Sequence, residues 1–170
     1  WDSNHDNPRG FYFEDRHHDL DKFAGEWEGT GFGDHQWRAR IIVQKKANYY
    51  DSYWYDALGL ELSITKNGKA CITPTDSFLP GTSFIQGGGF IWDREKRSLQ
   101  LDVYRMPFFY GKADKPYQEL ANVLLCLNAA HDTIVVRRSH LVGIDRPVII
   151  PDYLSVPYDA EVCTLRRVKK

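Results

Sequence analysis

The chain has 170 residues, of which 26% are charged, yet its net charge is only −1, which gives no electrostatic reason to expect nucleic acid or an anionic membrane surface as a partner. Aromatics make up 14%, with ten Tyr, nine Phe and five Trp, and no apolar run approaches the ~20 residues that span a bilayer. What remains is a single domain, long enough to bury a core, in a composition that favours sheet over helix.

The first residue is Trp1 and Met106 is the single methionine, so removal of a leader or trimming of the chain is expected. Cys71, Cys126 and Cys163 permit at most one internal disulfide. A secreted or exported protein with Cys71 paired to Cys163 is one expectation, and three reduced thiols in a cytoplasmic protein is the other.

Residues 1–18, rich in Asp, Asn, His, Pro and Gly, read as an irregular arm with an aromatic patch at Phe11 to Phe13, leaving 19–170 as the domain. Asp19 to Phe23 form a short polar turn that runs into a strand over 25–33. There Trp27, Gly29, Gly31 and Gly33 share one face, which predicts a strongly coiled strand with a bulky plug and open space above it. Asp34-His35 reads as a turn. Trp37, Ala39, Ile41 and Val43 alternate with Arg38, Arg40, Ile42 and Gln44 in a second strand. Leu60, Leu62 and Ile64 alternate with Glu61, Ser63 and Thr65, and Asn67-Gly68 predicts a tight hairpin to Lys69–Thr73.

Thr75 to Gly81 is expected as a loop, with Pro74 and Pro80 as breakers. The strand over 83–92 is predicted to bend at Gly87 to Gly89 before a hairpin to Ser98–Met106. Pro107 to Pro116 reads as a loop bearing Phe108, Phe109 and Tyr110. Residues 117–128 carry both helical and alternating spacing, and the strand is preferred because Ala129 to Asp132 would close a hairpin to Thr133–Leu141. Arg146 to Pro157, with the run Val148-Ile149-Ile150, reads as an extended segment before a last strand over 160–168. The expected architecture is all-β, an antiparallel up-and-down barrel of eight to ten strands.

Phe23-Ala24-Gly25-Glu26-Trp27, preceded by a polar turn, resembles the first motif of the lipocalins and their calycin relatives. The resemblance implies a lipocalin-like barrel whose tryptophan closes the floor beneath an arginine of the last strand, here Arg166 or Arg167. Gly25 to Gly31 together with Leu165 to Val168 is also similar to the haem-binding barrels related to nitrobindin. That family carries its iron-ligating histidine near the end of the last strand, and Tyr158 to Thr164 contains none, so no cofactor is expected.

The histidines lack His-x-His or His-x₃-His spacing, so no metal site is expected and most read as solvated turn residues. His140 is singled out because it shares a face with Ile134, Val136 and Arg138. Arg38, Arg40, Arg105, Arg137, Arg138 and Glu119 lie within strands and ordinarily would face solvent. Any arginine that pointed inward would give a barrel lumen a cation able to grip a carboxylate, phenolate or enolate. Arg105 is the preferred inward candidate, because Leu99, Leu101 and Val103 precede it on one face. Tyr104 lies opposite.

Trp37, Tyr53, Tyr55, Phe90, Trp92 and Phe108 are the candidate wall of a pocket. Two functions are therefore expected: binding of a small, largely apolar molecule in the lumen, or a cofactor-free isomerase or cyclase in which Tyr104, Arg105 and His140 steer protons. The partner is a small hydrophobic molecule, with no nucleic acid and no membrane insertion; a homo-oligomer is left open.

Overall fold

The computed structural model describes residues 11–50, 53–72, 85–86, 89–110, 118–139 and 152–169. The predicted loop at Thr75 to Gly81, the bend at Gly87-Gly88, residues 111–116, His140 and the run Val148 to Ile150 lie outside them. Among the described residues there is no helix long and apolar enough to cross a membrane.

Among the described residues eleven strands form one strongly curled mixed sheet, a half-barrel. They are β1 (Phe11–Phe13), β2 (Gly25–Gly31), β3 (His35–Tyr50), β4 (Tyr53–Lys66), β5 (Lys69–Ile72), β6 (Ile85–Gln86), β7 (Gly89–Asp93), β8 (Ser98–Tyr110), β9 (Gln118–Leu127), β10 (Thr133–Ser139) and β11 (Glu161–Arg167). Their order across the sheet is β1-β4-β3-β2-β11-β10-β9-β8-β7, with β5 and β6 also paired to β4. Every pairing is antiparallel except that of β1 with β4, which sets Tyr12 opposite Trp54 and makes the sheet mixed.

That parallel pairing corrects the expectation of a wholly irregular arm. Its cause is the Asp56 carboxylate, fully buried, which accepts from Tyr12 Oη at 2.7 Å, from the Asp15 amide at 3.0 Å and from Lys45 Nζ at 2.8 Å. Asp15 in turn accepts the amides of Asp19 and Leu20, each at 3.0 Å, and so starts the 3₁₀ turn Asp21–Phe23 that carries the chain into β2. Polar groups that would be orphaned by burial thus hold the arm against β4.

The alternation read from β3 survives folding: His35, Trp37, Ala39 and Ile41 are buried while Gln36, Arg38 and Arg40 are exposed. Asn67 and Gly68 have φ of 50° and 75°, as a two-residue type I′ loop between β4 and β5 requires. At the β7–β8 turn, the Asp93 carboxylate accepts the amides of Lys96 at 3.0 Å and Glu95 at 2.9 Å, and these bonds hold its pKa below the ordinary value. Residues 118–127 are a strand, the preferred reading.

Three expectations need correction. Pro107 to Tyr110 continue β8, paired with β9, because the ladder there runs on past Met106 through one register shift. His35 begins β3 with its ring buried, and its Nδ1–H donates to the Phe32 carbonyl at 2.6 Å. Cys71, Cys126 and Cys163 are all free, Cys71 exposed and Cys163 buried, so the Cys71–Cys163 disulfide does not exist.

The curl brings distant parts of the sheet together. In the strand order β4 and β8 are separated by β3, β2, β11, β10 and β9, yet the Leu58 amide of β4 donates to Tyr104 Oη of β8 at 3.2 Å. Lys22 Nζ of the lead-in turn likewise meets Asp102 of β8 at 2.8 Å. The inward faces share one apolar core that includes Phe23, Trp27, Ile41, Leu58, Ile64, Tyr104, Met106 and Ile134.

Candidate functional site

Two arginines mark the two ends of the curled interior. At the β2 entry Trp27 is buried, and its Nε1–H donates to the Phe23 carbonyl at 3.0 Å. Arg167, the last residue of β11, lies over the indole at 4.2 Å from its centroid. Its Nη1 donates to the Ala24 carbonyl at 2.6 Å, Nη2 to that of Lys22 at 2.6 Å, and Nε to that of His131 at 2.8 Å. Arg167 therefore takes the place expected for Arg166 or Arg167, and Arg166 faces solvent. This end is a plug with every guanidinium nitrogen satisfied.

Farther along the inward face of β10, beyond Ile134 and Val136, stands Arg138, only 8% exposed. Its Nη1 donates to the Val156 carbonyl at 2.5 Å, and its guanidinium carbon lies 4.5 Å from the centre of the Tyr158 ring. Among the described residues its Nε has no hydrogen-bond partner. Around the 3₁₀ turn Asp152–Leu154 that packs nearby in sequence, Tyr153 meets both His35 and Trp37 edge-on, with centroids 6.0 and 6.1 Å away.

The remaining predicted residues separate into distinct places. Tyr104 is buried and inward-facing, with Phe90 edge-on at 5.5 Å and Phe23 at 6.1 Å. Arg105 is exposed, which corrects its choice as the inward arginine: Tyr104 and Met106 hold the buried face, and Leu99 on the other face is 48% exposed. Trp37 is buried, Tyr55 and Phe90 are half-buried, and Trp92 is 55% exposed, so it is no part of an interior wall. Tyr53 lies in β4 and Phe108 in β8, with side chains outside the described set. Arg138, His35 and Tyr153 were not selected, although the parity that drew attention to His140 applied equally to Arg138.

Burial pushes the Tyr104 phenol up to about 12. An unfolded chain releases that proton near pH 10, so between about 10 and 12 the folded state holds more protons and stability falls as pH rises. The expected loss is about 3 kcal/mol across that interval, for a shift of about two units. Tyr104→Phe should abolish this term and, by leaving the Leu58 amide unpaired, cost about 1–2 kcal/mol at neutral pH. Urea unfolding of both proteins at pH 7 and pH 11 checks it: a variant that parallels the native protein at both pH values removes Tyr104 from the account. Burial also raises the thiols of Cys126 and Cys163, keeping them protonated and weakly nucleophilic.

The outer face of the same strands holds an open groove of about 610 Å³, lined by Glu28, Thr30, Gln36, Arg38 and Arg166 among others. Arg166, Glu28 and Arg38 are cross-strand neighbours in it. Such alternating charges are the ordinary solvent face of a sheet, and the unusual polar burial lies inside. Among the described residues no three His, Cys, Asp or Glu side chains gather as metal ligands. Comparison of the chain with protein-family models, with curated proteins and with solved structures finds no match.

Proposed function

We propose that the chain is a binding protein, a lipocalin-like barrel whose interior takes a small, largely apolar molecule. The half-barrel is completed in this reading by the stretch that contains β6 and β7: β6 pairs with β4, and β7, which begins three residues after Gln86, pairs with β8. One strand would then reach both edges of the sheet and close an up-and-down barrel. The observation that carries the reading is the Trp27 plug under Arg167, which seals one end of an apolar interior from water. A sealed floor below aromatic and aliphatic walls suits an apolar ligand.

Native mass spectrometry of the purified protein tests this. A discrete excess mass that disappears on organic extraction is expected, and the stripped protein should take up an environment-sensitive apolar fluorophore. No adduct together with no uptake would sink the reading.

An isomerase or cyclase acting in the same interior is the second reading, and the buried Tyr104 hydroxyl favours it. A phenol pushed up to about 12 stays neutral at pH 7 and could lend a proton rather than take one. Product formation from the extracted ligand, lost in Tyr104→Phe while binding persists, would select the enzyme.

A further inference from the structure

The outer face of the sheet has two unlike halves. Across β2, β3, β4 and β11 it is polar, carrying Glu28, Thr30, Gln36, Arg38, Thr65 and Arg166, as the wet side of a one-sided antiparallel sheet should be. Across β7 to β10 it is apolar. Trp92 lies opposite Leu99, and the two are 55% and 48% exposed. Val103, Cys126 and Val135 extend that surface as one cross-strand row, and Leu124 follows on β9, all of them half-buried. Their chain neighbours Tyr104, Leu125 and Val136 fill the inner face, so the core leaves this second apolar face uncovered. The open area is on the order of 400 Å², a size of patch that often marks an interaction site.

Charge and dimensions indicate what covers it. Arg105 and Arg137 stand on either side of Leu124, both exposed, and among the described residues no ion pair includes either. Glu161, opposite Arg137 on β11, accepts instead from the Thr164 hydroxyl. Two strand spacings separate the arginines, about 9–10 Å, close to the width of an α-helix. From Leu99 to Arg105 the strip runs about 20 Å, the length of roughly thirteen helical residues. A helix laid along β9 would set its apolar stripe on Cys126 and Leu124 and bring a carboxylate on each flank to one arginine. Among the described residues there is no α-helix, so those of a second copy supply no such element. We infer that the outer face of β7 to β10 docks an amphipathic helix of a partner protein, with acidic residues on both flanks of its apolar stripe. The inference stands apart from what the interior binds.

Selection of a random-peptide display library on the native protein, with counter-selection on Leu99→Lys, tests this. Enriched peptides should carry apolar residues at i, i+3, i+4 and i+7 with Asp or Glu beside them. Made synthetically, they should bind the native protein at least about tenfold more tightly than Leu99→Lys, which puts a charge in the strip. The double variant Arg105→Glu/Arg137→Glu should weaken them by about tenfold, and peptides with Lys in place of the acids should recover that loss. Leu99, Arg105 and Arg137 are exposed, so thermal melts of the variants should match that of the native protein. No enrichment, or enriched peptides without the helical period, overturns the inference. A native dimer that Leu99→Lys converts to monomer also overturns it, since a second copy then covers the face. Binding to phosphatidylcholine–phosphatidylserine vesicles that Leu99→Lys abolishes does the same, assigning the face to a lipid surface.

Discussion

Arg167→Ala should lower the unfolding free energy by about 2–4 kcal/mol, although Arg167 is only partly buried. Three main-chain carbonyls, those of Lys22, Ala24 and His131, lose a cationic donor at once, and the Trp27 indole loses the charge on its face. The contacts join segments distant in sequence, the lead-in turn before β2, the β9–β10 turn and the end of β11, so their loss frees all three together. Arg167→Lys should recover less than half, because an ammonium on a single stem cannot fork to three carbonyls. Trp27→Ala should cost about 3–5 kcal/mol, the range for emptying a large aromatic site. The double variant should cost clearly less than the sum, since each residue's contribution depends on the other. Urea denaturation of the four proteins measures this. An Arg167→Ala midpoint indistinguishable from that of the native protein would show that the plug adds nothing to stability.

Gly29→Ala should be more damaging than its size suggests, with a loss of about 3 kcal/mol or more, above the usual range for overpacking. A Cβ at position 29 would stand 1.9 Å from the Thr164 carbonyl oxygen and 2.9 Å from its carbonyl carbon. Those are backbone atoms of the neighbouring strand, so relief requires β2 and β11 to part, which breaks the ladder that joins the two ends of the chain. Two other glycines calibrate the result. Gly68→Ala meets no atom within 4 Å but sits at φ of 75°, and should cost about 1–2 kcal/mol from backbone strain alone. Gly89→Ala has open space and an ordinary backbone, and should change stability by less than about 0.5 kcal/mol. Thermal melts rank the three; a Gly29→Ala protein no worse than Gly68→Ala would remove the steric argument.

The glycines also show where reading by parity stops. Gly29 and Gly31 share Trp27's side of the strand as expected, but the space above them is not open. At Gly31 a Cβ would meet the Trp37 Nε1 at 2.7 Å, Cys163 Cβ at 2.8 Å and the Val162 carbonyl at 2.8 Å. The glycines admit close approach of β11 and an indole, and the suggestion of room for a ligand directly above the plug is withdrawn.

Local signals were legible where the cause is local. The inward face of β3, the Asn67-Gly68 turn and the strand over 118–127 follow from period and turn chemistry, while the arginine over Trp27 was implied only by the likeness of the first motif to that of the lipocalins. The choice of Arg138 over Arg105 was not legible. In β8 the apolar residues before Arg105 lie on a face left largely open to water, while in β10 the face of Ile134 and Val136 is covered. Alternation tells which residues share a face, but which face is covered depends on strands far away in sequence.

The sequence by itself determined an all-β chain, its turns, and an aromatic plug at the start of the domain, because each depends on the conformational preferences and spacing of a few neighbouring residues. Only the tertiary structure decided that Arg167 rather than Arg166 caps Trp27, that Asp56 holds the arm in parallel with β4, that no disulfide links Cys71 to Cys163, and that Arg138 stands inside with part of its guanidinium unmatched. Each of these is set by the curl of the sheet, which brings β2 beside β11 and Tyr104 beside Leu58, and no window of adjacent residues carries that curvature.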